Sequence, residues 1–232
     1  MWKKIQFKSW EIVFKTDEVI PTPYHHCHHD FYGFVLYDDG IPLMVDSGGA
    51  SYDSKFDKYN KAQLPNYHNS ILINGLSYRP YSTKFYPNDY WTPIFVNETI
   101  SEGDSIKIKL SSTGFNRIIP DINLTRTIEL SECMICIDDT CGTSSDITIS
   151  NFFHFDQNLS VKDKKSHLNI VSKTNEYVLE YPNDNYKNSI NEDKLYQFYS
   201  EEYGSYEKKQ YINNINFINM QKKITHRLIK KK

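Results

Sequence analysis

The sequence predicts an all-β protein, an antiparallel multi-stranded β-sandwich of the jelly-roll type. Three observations predict this fold class. Short runs rich in Ile, Val, Phe, Tyr and Thr recur along the chain, Asn, Asp, Gly and Pro separate them, and helical periodicity is scarce. Ten or more such runs with few helical patterns are typical of two packed antiparallel sheets.

The predicted strands and turns follow one another without a linker or a repeat. The strand runs, in chain order, are EIVFKT, YGFVLY, IPLMVD, NSILI, DSIKIKL, NLTRTIEL, CMICIDD, DITISNFFHF, EYVLEY and KKITHRLI. Asp39-Gly40 lies between two of them, as a tight hairpin requires. The polar stretch 182–194 is predicted to be a surface loop, and the basic residues of the C-terminal tail are interpreted as solvated. Residues 1–232 are expected to form one domain.

Composition excludes several classes of function. The 232 residues are 39% hydrophobic and 15% aromatic, which is enough for a large core, and 27 basic residues nearly balance 29 acidic ones. A net charge of −2 argues against a nucleic-acid partner held by phosphate contacts. An anionic ligand would therefore need a local basic or metal site. No apolar run is long enough for a membrane span, and the N-terminal residues lack the apolar core of a signal peptide.

Residues 23–30, PYHHCHHD, are the densest group of candidate functional side chains. If this stretch is extended, a period of two places His26, His28 and Asp30 on one face of the strand. The alternative is a polar strand edge whose histidines are solvated or hydrogen-bonded. The choice depends on what the rest of the chain brings to the same place.

Two later residues favour a metal site. Asp46 ends an apolar strand, and a carboxylate at the end of a buried strand needs a partner. His68 begins another predicted strand. Two histidines and one carboxylate that meet across adjacent strands suit zinc, with a fourth position left open for water or ligand. A cupin-like metal enzyme is a less favoured alternative, because its additional glutamate ligand is not visible.

Two stretches, HHCHHDFYGFVLYDDGIPLMVDSGG and YDSKFDKYNKAQLPNYHNSILING, resemble the C-terminal β-sandwich domain of the heparinase II/III family of polysaccharide lyases. The family pattern has an H-x-H-x-D stretch, a strand ending in Val-Asp-x-Gly, and a later His-Asn. These fall here at 26–30, 45–48 and 68–69. The resemblance continues more faintly through TRTIELSECMICIDDT, ISNFFHFD and YSEEYG.

The resemblance implies a reaction and a set of residues. His28, Asp46 and His68 would ligate zinc, and His26 would point into the substrate cleft as the catalytic base. The family reaction is β-elimination on an acidic polysaccharide that contains uronic acid. Tyr59 lies in a loop where related lyases place aromatic residues that contact the substrate.

Several nearby residues are expected to support the fold or the site. Asp30 is expected to orient a ligating histidine, and His25 and His29 are expected to be solvated or to lie behind the ligands. A structural salt bridge is the expected role of Arg126. His154 is expected to be a core or hydrogen-bonded histidine.

The resemblance also implies a larger partner. In the family an α/α toroid on the N-terminal side of the sandwich supplies a catalytic tyrosine and most of the sugar groove, whereas this sequence begins at about the first strand of the sandwich. The chain is therefore expected to be a fragment of a longer product, one partner of a split enzyme, or a non-catalytic relic. The alternative function is that of a non-catalytic, metal-stabilised carbohydrate-binding or accessory module. The family implies a periplasmic or extracellular location.

Overall fold

The computed structural model describes residues 2–16, 28–48, 64–79, 93–182, 186–190, 198–199, 207–208, 210–219 and 223–231, with only the backbone described for the strands between 186 and 219. Strands dominate these residues, with short 3-10 helices at Pro65–Tyr67 and Gly114–Arg117. The strands are β1 (Trp2–Phe7), β2 (Trp10–Lys15), β3 (Phe34–Asp38), β4 (Ile41–Met44), β5 (Ile71–Ile73), β6 (Phe95–Glu102), β7 (Ser105–Ser112), β8 (Asn123–Leu130), β9 (Met134–Gly142), β10 (Asp146–Phe155), β11 (Ser160–Asp163), β12 (His167–Val171), β13 (Glu176–Glu180), β14 (Tyr186–Ile190), β15 (Phe198–Tyr199), β16 (Glu207–Lys208), β17 (Gln210–Asn219) and β18 (Lys223–Lys230).

Two eight-stranded antiparallel sheets form the sandwich, which confirms the predicted fold class. The first sheet has the order β1-β2-β3-β4-β10-β17-β14, and β5 also pairs with β10. The second sheet has the order β11-β12-β13-β18-β9-β8-β7-β6. Among the described residues, no helix has the length and apolarity needed to cross a membrane.

The predicted hairpin between β3 and β4 is confirmed. Asp39 and Gly40 have φ angles of 49° and 77°, and Asp38 pairs with Ile41 on either side of them. Positive φ at both central residues is what a two-residue turn needs to match the twist of its strands. This turn reverses the chain into β4, which ends two residues before Asp46.

The core lies between the two sheets and follows the period-two alternation of the strands. Trp10, Ile12 and Phe14 of β2 point inward from the first sheet, and alternate residues of β8 and β9 point inward from the second. Two of these inward positions carry charged side chains, Arg126 and Asp139, and both are fully buried. The sandwich therefore contains a buried ion pair in addition to its apolar core.

Two local predictions are wrong in part. The stretch 182–194 contains the strand β14, which pairs with β17, so it is not all loop. The C-terminal tail is not simply solvated, because β18 lies between β13 and β9 and buries Ile224, His226 and Leu228. In that tail the basic side chains occupy mainly the more accessible positions.

Candidate metal centre

Three predicted ligands, His28, Asp46 and His68, come together beyond the ends of strands of the first sheet, before β3, after β4 and before β5. One donor atom from each residue lies within 4.8 Å of the other two. His28 and Asp46 are half-buried, while His68 is fully buried. The cluster therefore combines a buried base with one accessible side, as a metal site that receives a ligand requires.

Asp46 is placed by the turn that follows β4. The backbone N–H of Gly48 donates to Asp46 Oδ1 at 2.8 Å, and Gly48 has a φ of 67°. The hydroxyl of Ser47 donates to the carbonyl of Tyr67. This contact ties the segment that carries Asp46 to the 3-10 helix immediately before His68.

His68 follows that 3-10 helix and precedes β5. Its backbone N–H donates to the carbonyl of Pro65 at 3.1 Å, and its own carbonyl accepts from Ser70 N at 2.7 Å. Its ring Nδ1 lies 2.6 Å from Asp46 Oδ2. The Asp46 carboxylate, at the end of the apolar strand, therefore has the polar partner that the sequence predicted for it.

His28 completes the cluster from the segment that enters β3. Its ring centroid lies 5.1 Å from that of His68. Burial lowers the pKa of His28 below its ordinary value, and the neighbouring His68 imidazole acts in the same direction. The neutral imidazole is therefore favoured, and this is the form that binds a metal ion.

The donor set fits zinc. Metal–ligand distances of about 2.0–2.2 Å place tetrahedral ligand atoms roughly 3.4 Å apart. Here Asp46 Oδ2 and His68 Nδ1 are 2.6 Å apart, and all three donors lie within 4.8 Å. The Asp46–His68 separation is shorter than the required value, so zinc binding would need these two side chains to move apart by about 1 Å. Two imidazoles and one carboxylate would leave a fourth position for water or ligand.

The structure gives Asp30 an ion-pair partner and excludes one of the two alternatives expected for His29. Asp30 is buried, and its carboxylate accepts from the ammonium of Lys15 at 2.7 Å, which gives it an ion-pair role. His29 is buried with Nδ1 2.8 Å from the hydroxyl of Ser77, so it is not solvated. Burial, followed by the charge of Arg79, lowers the pKa of His29 to about 3. Residues 28–30 are not a strand, so period-two alternation does not govern them.

His154 and Arg126 occupy the structural positions expected of them. His154 is fully buried in β10, with Nε2 3.0 Å from the carbonyl of Asn66. Arg126 forms a two-pronged ion pair with Asp139, with Nε–Oδ1 and Nη2–Oδ2 distances of 2.8 and 2.9 Å. Both side chains are therefore buried, and neither is available to line a substrate cleft.

Two predicted site residues, His26 and Tyr59, lie outside the described residues, as does His25. Their roles stay predictions. In the sequence His26 stands two residues before His28.

Sequence reasoning missed the polar side chains behind the cluster. Asn69, Asn151 and Asp139 are all fully buried. Asn69 bonds to two carbonyls, and Asn151 donates to Asp139 Oδ2 at 2.8 Å. A signal was present for Asp139, because a charged residue stands in the inward register of an alternating strand.

A concave region lies on the outer face of β12, β13 and β18. Its volume is about 690 Å³, and its lining includes Lys223 and Arg227. Lys223 pairs with Asp138 at 2.6 Å, and Arg227 lies 3.9 Å from Glu180. These carboxylates offset the positive charge, so the groove presents a weaker case for anion binding than the cluster does for metal binding.

Comparison with known proteins identifies the family. Residues 2–229 match the sequence family described as Heparinase II/III-like, C-terminal. The chain belongs to this family. The match confirms the resemblance drawn from the histidine motif and covers nearly the whole chain. No curated protein sequence matches the chain.

Solved structures of lyases share the fold at low sequence identity. A heparan sulfate lyase HepC mutant from Pedobacter heparinus is 13% identical with a TM-score of 0.73, and the match covers 96% of this chain and 33% of that chain. A heparinase III is 14% identical with a TM-score of 0.70, with 95% and 33% covered. The chain thus spans about a third of the length of these lyases.

A putative aldose 1-epimerase from Escherichia coli is similar in size to this chain. It is 6% identical with a TM-score of 0.50, and the match covers 100% of this chain and 99% of that chain. Like the lyase similarities, this one shows the fold alone. The family assignment comes from the sequence match.

Proposed function

We propose that this chain is the metal-binding sandwich component of a lyase that cleaves a uronic-acid-containing polysaccharide by β-elimination. The observation that carries the proposal is the convergence of His28, Asp46 and His68. The candidate base His26 stands two residues before His28 in the sequence. Membership in the heparinase II/III-like C-terminal family supports the reaction class. The names of two structural neighbours, a heparan sulfate lyase and a heparinase III, support an acidic polysaccharide as substrate.

The proposed base is His26. It takes the proton from C5 of the uronic acid, the electron pair forms the C4–C5 double bond, and the bond from C4 to the glycosidic oxygen breaks. The leaving oxygen takes a proton from a donor. An imidazole suits the first step because its ordinary pKa lies near 6.5. A zinc ion at the cluster would supply positive charge for the uronate carboxylate.

The proposed metal site would favour the neutral form of His26. In the sequence His26 stands two residues before the proposed ligand His28. A nearby cation disfavours the protonated imidazole and so keeps the group able to accept a proton. Tyr59 is the proposed sugar contact. An α/α toroid, as a further domain or subunit, is the proposed source of the opposing wall of the cleft.

The test is turnover measured by the ultraviolet absorbance of the unsaturated product. Heparan sulfate, heparin and alginate are incubated with the 232-residue chain by itself, and little or no cleavage is expected. Elimination needs a base and a proton donor held in near-attack geometry, and loosening that geometry costs orders of magnitude in rate. Robust cleavage by this chain without a partner would contradict the need for a toroid.

The role of His26 is tested in the assembled system. A toroid domain from a heparinase III is added to the wild-type chain and to His26→Ala. We expect the wild-type pair to cleave and the variant pair to be inactive while the zinc content of both sandwiches is equal. Activity that survives His26→Ala would remove His26 from the mechanism. Polysaccharide binding without turnover in every assembly would indicate an accessory carbohydrate-binding module instead.

A further inference from the structure

We propose that Asn69 and Arg126 form a buried clamp that fixes the three ligand-bearing segments relative to one another. The inference rests on the metal site proposed above and assigns positioning roles to two residues behind it. Neither side chain belongs to the donor cluster. Both are fully buried, one next to a ligand in the chain and the other on the opposite sheet.

Asn69 joins the segments that carry His68 and Asp46. It follows His68 directly, and its side-chain amide donates to the carbonyl of Val45, the residue before Asp46, at 3.2 Å. The same amide donates to the carbonyl of Phe34 at 2.6 Å. One side chain therefore holds the neighbours of two ligands.

The other end of the Asn69 side chain is anchored on β10. Its Oδ1 accepts from the backbone N–H of His154 at 2.7 Å. Val45 N in turn donates to the carbonyl of His154 at 2.9 Å. With its donors and its acceptor both engaged, the Asn69 amide has one orientation that satisfies all three groups.

Arg126 adds the segment that carries His28. Its Nη1 donates to the carbonyl of Asn69 at 2.8 Å and to the carbonyl of Tyr32 at 2.9 Å. Tyr32 lies four residues after His28, at the entry to β3. A single guanidinium nitrogen thus bonds to the chain beside His68 and to the chain that leaves His28.

The guanidinium is itself held rigidly from the second sheet. Asp139 faces Arg126 across β8 and β9 as its direct register partner and bonds to it through both carboxylate oxygens. Asn151 donates to the same carboxylate from β10. Buried ion pairs are poor stabilisers because desolvating the charges offsets their attraction, and they are better explained where they fix one arrangement. Here the arrangement fixed is that of the ligand-bearing segments.

The test separates positioning from simple stability. Zinc affinity is measured by competition with a chromogenic chelator for the wild type, Asn69→Ala, Arg126→Lys and Ile128→Ala, all under conditions where circular dichroism shows folded protein. Arg126→Lys keeps the charge but cannot hold a two-pronged carboxylate and two carbonyls at once. Ile128 is the matched control, since it is a fully buried inward residue on the same strand as Arg126.

We expect Asn69→Ala and Arg126→Lys to weaken zinc binding 10- to 100-fold, the usual cost of losing a residue that orients ligands. Ile128→Ala should lower the melting temperature while leaving zinc affinity within about threefold of the wild type, because the hydrogen bonds that join the ligand-bearing segments come from Asn69 and Arg126 and not from its apolar side chain. Should Asn69→Ala fail to fold, Arg126→Lys carries the test. Wild-type zinc affinity in both folded clamp variants, or an equal loss in Ile128→Ala, overturns the clamp.

A second readout does not need zinc. The proton shared by His68 Nδ1 and Asp46 Oδ2, 2.6 Å apart, should give a downfield proton resonance in the metal-free protein. We expect this resonance to persist in Ile128→Ala and to be lost or shifted in both clamp variants. If the wild type binds no zinc but the resonance behaves in this way, the metal proposal fails and the clamp stands. An unchanged resonance in the folded clamp variants overturns the clamp.

Discussion

Asp46 and Asp139 are two carboxylates in very different surroundings. Asp139 is fully buried between the sheets and accepts from Arg126 through both oxygens and from Asn151 through one of them. Asp46 lies just after the end of β4 in the first sheet, its side chain is 30% exposed, and its Oδ2 is 2.6 Å from Nδ1 of the buried His68. The first has the contacts of a residue that holds the fold together, whereas the second has the partial exposure of a residue that receives a ligand.

The sandwich keeps its structural carboxylate, Asp139, in the interior and its candidate metal ligand, Asp46, partly exposed. Burying a charge costs several kcal/mol unless it is paired and hydrogen-bonded, and the Asp139 network meets that condition among its described neighbours. Asp46 is partly exposed and lies beside two imidazoles, which are the other proposed ligands of a cation.

The largest expected effect is the loss of folding stability on removal of the buried Asp139 carboxylate. Asp139→Ala leaves the Arg126 guanidinium buried without its carboxylate, so the free energy of unfolding should fall by about 3–5 kcal/mol. Urea denaturation of the metal-free protein measures this change. The adjacent Asp138→Asn is the control, because Asp138 pairs with the exposed Lys223 and such surface pairs contribute about 0–1 kcal/mol. Equal losses in the two variants would remove the distinction between scaffold and surface carboxylates.

A smaller effect is expected from a histidine beside that network. Burial lowers the pKa of His226 to about 4, while its unfolded value is near 6.5. Between these pH values the unfolded chain binds a proton that the folded chain does not. Stability should therefore fall as pH decreases from 6.5 toward 4, by about 1.4 kcal/mol per unit at most, and should not depend on this group above 6.5.

Urea unfolding of metal-free wild type and His226→Gln at several pH values between 4.5 and 7.5 measures this contribution. The variant should show a shallower fall in stability below pH 6.5. Some pH dependence should remain, because the pKa of buried His29 is lowered to about 3 and contributes with the same sign. Parallel pH profiles for the two proteins would show that His226 is not buried in its neutral form.

The strands were predictable from sequence wherever alternation was regular. The runs NLTRTIEL and DITISNFFHF coincide with β8 and β10 residue for residue. By contrast, β17 reads QYINNINFIN, and its four asparagines disfavour a strand on composition. It forms because ten residues pair with β10 in one antiparallel register, which is tertiary information. The stretch 182–194 is not all loop for a similar reason, because β14 joins the first sheet by pairing with β17.

Only part of the candidate site was predictable from the sequence. His28, Asp46 and His68 followed from the donor types at strand ends and from the family resemblance, and the structure brings their donor atoms together. The surroundings were not predictable. Asp30 pairs with Lys15 from β2, fifteen residues earlier in the chain. Arg126 reaches Asn69 from the other sheet. Such contacts depend on how the sheets stack, and no local pattern in the sequence encodes that.

Zinc-dependent stabilisation of the folded chain tests the central claim most directly. Thermal unfolding is followed with and without zinc for the wild type, His28→Ala and His167→Ala, a histidine of the outer groove that serves as control. A ligand that binds only the folded state stabilises it by about 2.7 kcal/mol at a hundred times its dissociation constant. We expect the wild type and His167→Ala to gain stability with one zinc bound per chain, and His28→Ala to gain none. An equal zinc response in His28→Ala, or none in the folded wild type, would contradict a metal centre formed by His28, Asp46 and His68.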